Sequence, residues 1–252
     1  MISRQLKIDP QAAIIQVAMG LEAAPFRQLA RTEAETLKLG KASFTPLSYP
    51  IDRPRQEILL VESAIGIANA AAASATALSL VPQASLVISA GTAGGLRSDI
   101  CVGDLVLGSS YSYTDSDATA FGYAYGQVPG MPESYQADPR LLNIASQLAA
   151  DYSGPGKIHI GRMLAGSSFV TAHNVAQTRQ LFPQALSTDM ETTAIAQVCH
   201  NYALPFIAVR GISDLCGPSA DQDFHLEADI VAPRSAQLAL AILEQAGSNP
   251  TH

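Results

Sequence analysis

No stretch of this 252-residue chain concentrates positive charge, and the net charge is −7. Without a basic run there is nothing to neutralise phosphates, which argues against a nucleic-acid partner. Cysteine is scarce: Cys101, Cys199 and Cys216 form no CxxC pair and leave an odd count. They read as reduced thiols, mostly core filler, rather than as a disulfide framework. His159, His173, His200, His225 and His252 are scattered, with no pair at metal-ligand spacing, so neither a metal site nor a Ser-His-Asp triad is supported. Met1–Pro10 lacks the apolar segment of a signal peptide. Ser63–Leu96 lacks any charge, but Pro82 and several glycines break it into pieces too short to cross a bilayer. No linker of low complexity and no internal repeat is present. The expectation is a cytoplasmic protein, not bound to membrane, with a single domain over 1–252 and residues 1–11 as an N-terminal extension.

What is present suits a large core: 48% hydrophobic residues against 15% charged. Short apolar or β-branched runs predict buried strands at Ala12–Met19, Glu57–Glu62, Ser85–Ala90, Asp104–Gly108 and Pro205–Arg210. Helical patterns fall at Glu22–Leu37, Ile67–Leu80, Pro139–Asp151, Val175–Leu181, Glu191–Tyr202 and Pro233–Gln245. Ile195, Val198, Cys199 and Tyr202 make one core-facing stripe. Pro233 and Gly247 punctuate the last helix. Strands alternating with helices imply an α/β fold around a largely buried sheet. Tyr111–Asp138, rich in Tyr, Ser, Gly and Pro, has no period and reads as a functional loop or an interface.

Carboxylates stand where such sheets assemble sites, beyond the carboxyl ends of strands. Asp189-Met190-Glu191-Thr192-Thr193 opens a helix, and an ionised Glu191 at its start could accept hydrogen bonds from both hydroxyls of a ribose diol. The helix dipole should keep it ionised; the plainer reading is an N-terminal charge. Asp214, just past an apolar strand and beside Ser213, is either a turn cap or an acid able to protonate a purine nitrogen if burial raises its pKa. Glu22 is a general base for water or merely an acidic first-turn residue. Arg210 is a rim charge or a buried partner for a carboxylate such as Glu22. Ser89-Ala90-Gly91-Thr92-Ala93-Gly94-Gly95 follows a strand and lets backbone approach a ligand, yet it is neither GxGxxG nor a P-loop, and a plain turn reads as well.

With these residues the chain resembles the 5′-methylthioadenosine/S-adenosylhomocysteine nucleosidases of the nucleoside phosphorylase/hydrolase superfamily. The likeness runs from Ala12 to Gln245 and is densest at Ala90–Asp104, Asp115–Gly130 and Ser187–Asp214. It implies a three-layer α/β/α sandwich with a central mixed sheet, a homodimer and no cofactor. The implied reaction hydrolyses the N-glycosidic bond of methylthioadenosine, adenosylhomocysteine or 5′-deoxyadenosine. By the same resemblance Glu22 activates water, with Arg210 and Thr92 around it. Glu191 holds the 2′- and 3′-hydroxyls alongside Met190, and Asp214 with Ser213 serves adenine N7. Phe169 stacks on adenine and the Val170 main chain reads its edge; Ala93, Gly94, Asp189, Ile65 and Phe224 complete the substrate site. Phe121 and Pro129 would close the 5′ site of the neighbouring subunit. Two carboxyls, one serving the leaving group and one deprotonating water, make an inverting pair in which Asp214 titrates high and Glu22 stays ionised. The sequence departs from the family at Gly20-Leu21, where relatives carry acidic residues, at Asp189 for Glu, and at Thr92 for Ser. A purine nucleoside phosphorylase on the same fold would need cationic anchors, and Arg27 and Arg31 read as a surface pair four apart on one helix face. The same catalytic residues could also serve a futalosine-type nucleosidase. A non-catalytic nucleoside-binding protein, by contrast, would have no need of both Glu22 and Asp214.

Overall fold

The computed structural model describes residues 6–53 and 55–248. Residues 1–5 of the extension and His252 lie outside them; within them, Leu6 is buried in the core and Asp9 N–H donates to Glu57. The strands are β1 (Ala13–Val17), β2 (Arg31–Thr32), β3 (Leu37–Leu39), β4 (Ala42–Tyr49), β5 (Gln56–Glu62) and β6 (Val87–Gly95). They continue as β7 (Leu105–Tyr113), β8 (Tyr135–Gln136), β9 (Ile158–Ala165), β10 (Ala185–Asp189) and β11 (Phe206–Asp214). The helices are α1 (Gly20–Leu29), α2 (Ile67–Leu80), α3 (Pro139–Ala150), α4 (Val175–Leu181), α5 (Thr192–Asn201) and α6 (Ala220–Ser248).

One mixed sheet runs β10-β9-β7-β11-β6-β1-β5-β4-β2, with β3 on β4 and β8 on β7. Its centre, β11-β6-β1-β5, is parallel, and each of these strands is buried over most of its length. Such strands read as continuous apolar runs because helices cover both faces. Here α2 packs with α5, while α1 and α3 pack with α6. β10 pairs with β9 on one side and, through Ser187 and Thr188, with β6 on the other, so five strands close into a ring.

Helix α2 and helix α4 have the bounds their sequence patterns predict; other elements differ. The first helix ends at Leu29, not Leu37, because Ala30 turns extended and Arg31-Thr32 pair with Ser48-Leu47. Arg27 and Arg31 therefore do not share a helix face: Arg27 pairs with Glu62 and Arg31 with Glu33. The last helix starts at Ala220, with Pro233 inside it rather than at its start. The strands from Val87 and Phe206 continue through their glycines to Gly95 and Asp214, so Asp214 ends its strand instead of following it. β2, β3, β4, β8, β9 and β10 are additions to the predicted set. The irregular loop is confined to residues 114–134, with a single 3-10 turn at Thr119–Phe121. No helix of the described residues is long and apolar enough to cross a membrane.

Candidate active site

Beyond the carboxyl ends of β1, β5, β6, β10 and β11 lies a cavity of about 280 Å³. Its wall includes Glu22, Ile65, Thr92, Ala93, Gly94, Phe169, Val170, Asp189, Met190, Glu191, Ser213, Asp214 and Phe224. The fold thus gathers residues more than 190 positions apart in the sequence, from Glu22 to Asp214.

Glu22 is the third residue of α1, and its side chain turns back over the helix start. Oε2 accepts from the Ala18 and Met19 N–H groups at 2.9 and 3.2 Å, satisfying donors that a helix N-terminus otherwise leaves orphaned. Oε1 accepts from the Thr92 N–H at 2.8 Å and the Thr92 hydroxyl at 3.0 Å. Gly91 makes this approach possible. Its φ is +149°, and a Cβ there would stand 2.4 Å from Glu22 Oε1. Burial raises the Glu22 pKa, while Arg210 and the donated hydrogen bonds oppose the rise.

Asp214 owes its direction to a β-bulge. The β11–β6 register shifts between Ile212 and Asp214, so Ser213 and Asp214, which strict alternation would send to opposite faces, both line the cavity. Asp214 Oδ1 accepts from the Cys216 N–H at 2.9 Å, and the Ser213 hydroxyl lies 3.1 Å from Oδ2. A Cβ at Gly94 would come within 2.9 Å of the same carboxylate. Burial is the main force raising the Asp214 pKa, with Asp223 adding to it. Burial thus raises both carboxyls, and Glu22 alone of the two has a cation, Arg210, opposing the rise.

Glu191 stands at the N-cap of α5 but does not itself cap the helix. That task falls to Asp189, whose Oδ1 accepts from the Glu191 and Thr192 N–H groups, both at 2.8 Å. Glu191 Oε1 accepts from the Gly66 N–H at 2.7 Å. Contrary to the expectation from the helix dipole, burial and the neighbouring Asp189 push its pKa up to about 8.

Arg210 is buried in mid-strand and does not line the cavity. Its Nε donates to Asp189 Oδ2 at 3.0 Å, and one terminal nitrogen donates to Ser89 Oγ and Thr192 Oγ1. Neither rim charge nor hydrogen-bonded partner of Glu22, it reaches Glu22 only through its field. Burial works against its charge, but Asp189, Glu22 and Glu191 together hold its pKa above the ordinary value. Asp189 has both oxygens committed to protein donors, which ties the start of α5 to the Arg210 guanidinium.

Ile65 and Phe169 are about half exposed, and Phe169 meets Phe224 edge-on at 6.3 Å. Phe121, 84% exposed, and Pro129 stand outside the cavity. Ala18, Met19, Ser168, Thr188, Cys216 and Asp221 also line it and were missed by sequence reasoning. Thr188 had no signal, because its strand was not predicted; Asp221 was hidden by the late start assigned to the last helix. Among the described residues no three His, Cys, Asp or Glu side chains gather in a group that could hold a metal ion.

The model of the phosphorylase superfamily matches residues 12–244, a span that includes the parallel centre of the sheet and every residue of the cavity wall. The 5′-methylthioadenosine/S-adenosylhomocysteine nucleosidase of Halalkalibacterium halodurans is 40% identical over 193 residues, 76% of this chain and 82% of its own. The like-named protein of Chromohalobacter salexigens is 38% identical over 195 residues, 76% of this chain and 81% of its own. The chain belongs to the 5′-methylthioadenosine/S-adenosylhomocysteine nucleosidase family. Among solved structures, the Neisseria meningitidis nucleosidase in complex with methylthio-immucillin-A aligns with a TM-score of 0.85 at 31% identity, over 93% of this chain and 99% of that one. The Colwellia psychrerythraea nucleosidase in complex with adenine aligns with a TM-score of 0.86 at 31% identity, over 94% and 96%.

Proposed function

We propose that this protein hydrolyses the N-glycosidic bond of 5′-methylthioadenosine and S-adenosylhomocysteine, releasing adenine and the 5-substituted ribose. The observation that carries water rather than phosphate as nucleophile is the lack of a cation in the described wall. Glu22, Asp189, Glu191, Asp214 and Asp221 line the cavity, and among its described lining residues there is no Lys, Arg or His. Phosphate entering there would give up its hydration without a contacting cation to replace it. Neutral water meets no such barrier.

In this reading Glu22 takes a proton from water as its oxygen bonds to C1′ of the ribose. The C1′–N9 electron pair leaves with adenine, and Asp214, whose pKa burial raises in the direction this role needs, gives a proton to N7. A raised pKa also makes Glu22 a stronger base once ionised. Glu191 accepts from the ribose 2′- and 3′-hydroxyls beside Met190, exchanging the Gly66 N–H for substrate donors or sharing it. Phe169 stacks on the base, the Val170 main chain reads its edge, and Ile65 with Phe224 flanks the 5′ group. Arg210 acts indirectly, by fixing Asp189 and by its charge. The chemistry is acid–base and requires no cofactor.

We further read the chain as one domain working as a cytoplasmic homodimer. Exposed Phe121 and Pro129, on the irregular loop, would cover the 5′ site of the other subunit. An assay of adenine release from methylthioadenosine, with and without phosphate, tests the reaction. Equal rates with free methylthioribose are expected; strict phosphate dependence with a 5-methylthioribose 1-phosphate product would overturn the reading.

A further inference from the structure

Two adjacent residues of β10 carry buried hydroxyls that have no hydrogen-bond partner, Ser187 and Thr188. A buried hydroxyl without a partner is costly, so each calls for an explanation. The two differ in where they face. Successive side chains of a strand alternate between its faces. Thr188 forms part of the cavity wall and Ser187 does not.

Thr188 also stands in a definite row. It pairs with Gly94 across the β10–β6 ladder, and Gly94 pairs with Asp214 across the β6–β11 ladder. Adjacent strands lie about 4.8 Å apart, so Thr188 and Asp214 flank the same cavity floor at roughly twice that spacing, with a side-chain-free glycine between them. A planar base lying over Gly94 would have Asp214 at one edge and Thr188 at the opposite edge. Thr188 is 5% exposed, and its Oγ1 is shielded. Because a β-branched side chain carries hydroxyl and methyl on the same carbon, one step about χ1 exchanges them and presents the hydroxyl to the cavity. Among the described residues, none holds the hydroxyl in its present position.

We propose that Thr188 is a base-recognition residue, whose hydroxyl donates to N3 of the purine. This rests on the nucleosidase reading above. There Asp214 serves N7 and the Val170 main chain reads an edge of the base; N3 lies across the ring system from N7, on the side where Thr188 faces Asp214 over Gly94, and no other group of that reading is assigned to it. A donor at N3 holds adenine in the site and also stabilises the negative charge that builds on the base as the glycosidic bond breaks.

The test is competitive inhibition by adenine and by 3-deazaadenine, in which N3 is replaced by a carbon, measured for the wild type, Thr188→Val, Thr188→Ser and Ser187→Ala. One neutral hydrogen bond corresponds to an effect of about 3- to 10-fold. The wild type and Thr188→Ser are expected to bind adenine more tightly than 3-deazaadenine by that factor. Thr188→Val should lose the preference through weaker adenine binding, and Ser187→Ala should keep it. Since the hydroxyl has no protein partner to lose, Thr188→Val should melt no lower than the wild type. A Thr188→Val protein that melts normally yet keeps the full preference would overturn the Thr188 assignment alone. If Thr188→Val is poorly folded, loss of the preference in Thr188→Ser overturns it equally, because that variant retains the donor. A wild type that neither binds adenine nor cleaves methylthioadenosine would instead overturn the functional reading on which the proposal rests.

Discussion

The floor of the cavity and its rim are built from different material. On the floor, Glu22, Asp189, Glu191 and Asp214 sit at strand ends or in first helical turns, each less than a tenth exposed and each accepting at least one backbone N–H. On the rim, Ile65 and Phe169 are half exposed and project from loops, with Phe224 on the first turns of α6. The floor's geometry is therefore set before a substrate arrives, the condition under which charged groups contribute most to catalysis. In the proposed reading Phe169 takes the base while Ile65 and Phe224 offer apolar area that different 5′ groups can share, so reaction type and 5′ preference would reside in separate parts of the site.

Breaking the floor should have the largest effects. Glu22→Gln keeps the shape and removes the base, and kcat for methylthioadenosine should fall on the order of 10²–10⁴-fold. Adenine binding, measured by calorimetry, should change little. Arg210→Met leaves Asp189 buried without its cation, and urea unfolding should show a loss of about 3–5 kcal/mol. Gly91→Ala drives a methyl into the Glu22 carboxylate at a backbone angle that favours glycine. Displacing a base by about 1 Å can cost on the order of 10²-fold, so kcat should drop by that order while the fold, read by circular dichroism, persists.

The pH dependence sharpens the same contrast. With the Glu191 pKa near 8, KM for the nucleoside should fall by up to about tenfold per unit as pH rises toward 8, because the ionised carboxylate accepts both ribose hydroxyls. The inhibition constant of adenine, which has no ribose, should not follow that slope. Stability has the opposite sign. A carboxyl whose folded pKa lies above its ordinary 4.5 binds its proton more tightly in the native state. Its contribution is complete below about 4.5 and is lost as pH rises through about 8, so the protein without substrate should melt lower at pH 8 than at pH 6. The smallest effects belong to the rim: Phe224→Ala should alter kcat/KM by about 3- to 10-fold and change the ratio between methylthioadenosine and adenosylhomocysteine. An equal loss for both substrates would erase the distinction between floor and rim.

How far the sequence disclosed this arrangement follows the same division. Strands rich in branched apolar residues, such as Ile14-Ile15 and Leu59-Leu60-Val61, announce themselves, and so does the Ala-rich α2. β10, Ala-Leu-Ser-Thr-Asp, has little apolar signal of its own and exists by pairing on both sides, which is tertiary information. β4 carries Pro46, which speaks against a strand until its neighbours are known. Glu22, Glu191 and Asp214 were identifiable from element ends and the family resemblance. The bulge that aims Asp214, the commitment of Asp189 to Arg210 and the unpartnered Thr188 depend on strand register, which no local pattern encodes.

The central claim is that carboxylates facing an uncharged nucleophile make this a hydrolase. The most direct measurement is cleavage of methylthioadenosine in ¹⁸O-labelled water containing phosphate, with the products read by mass spectrometry. The account predicts one label on the C1 hydroxyl of methylthioribose and no phosphorylated sugar. Unlabelled 5-methylthioribose 1-phosphate as the product would contradict it.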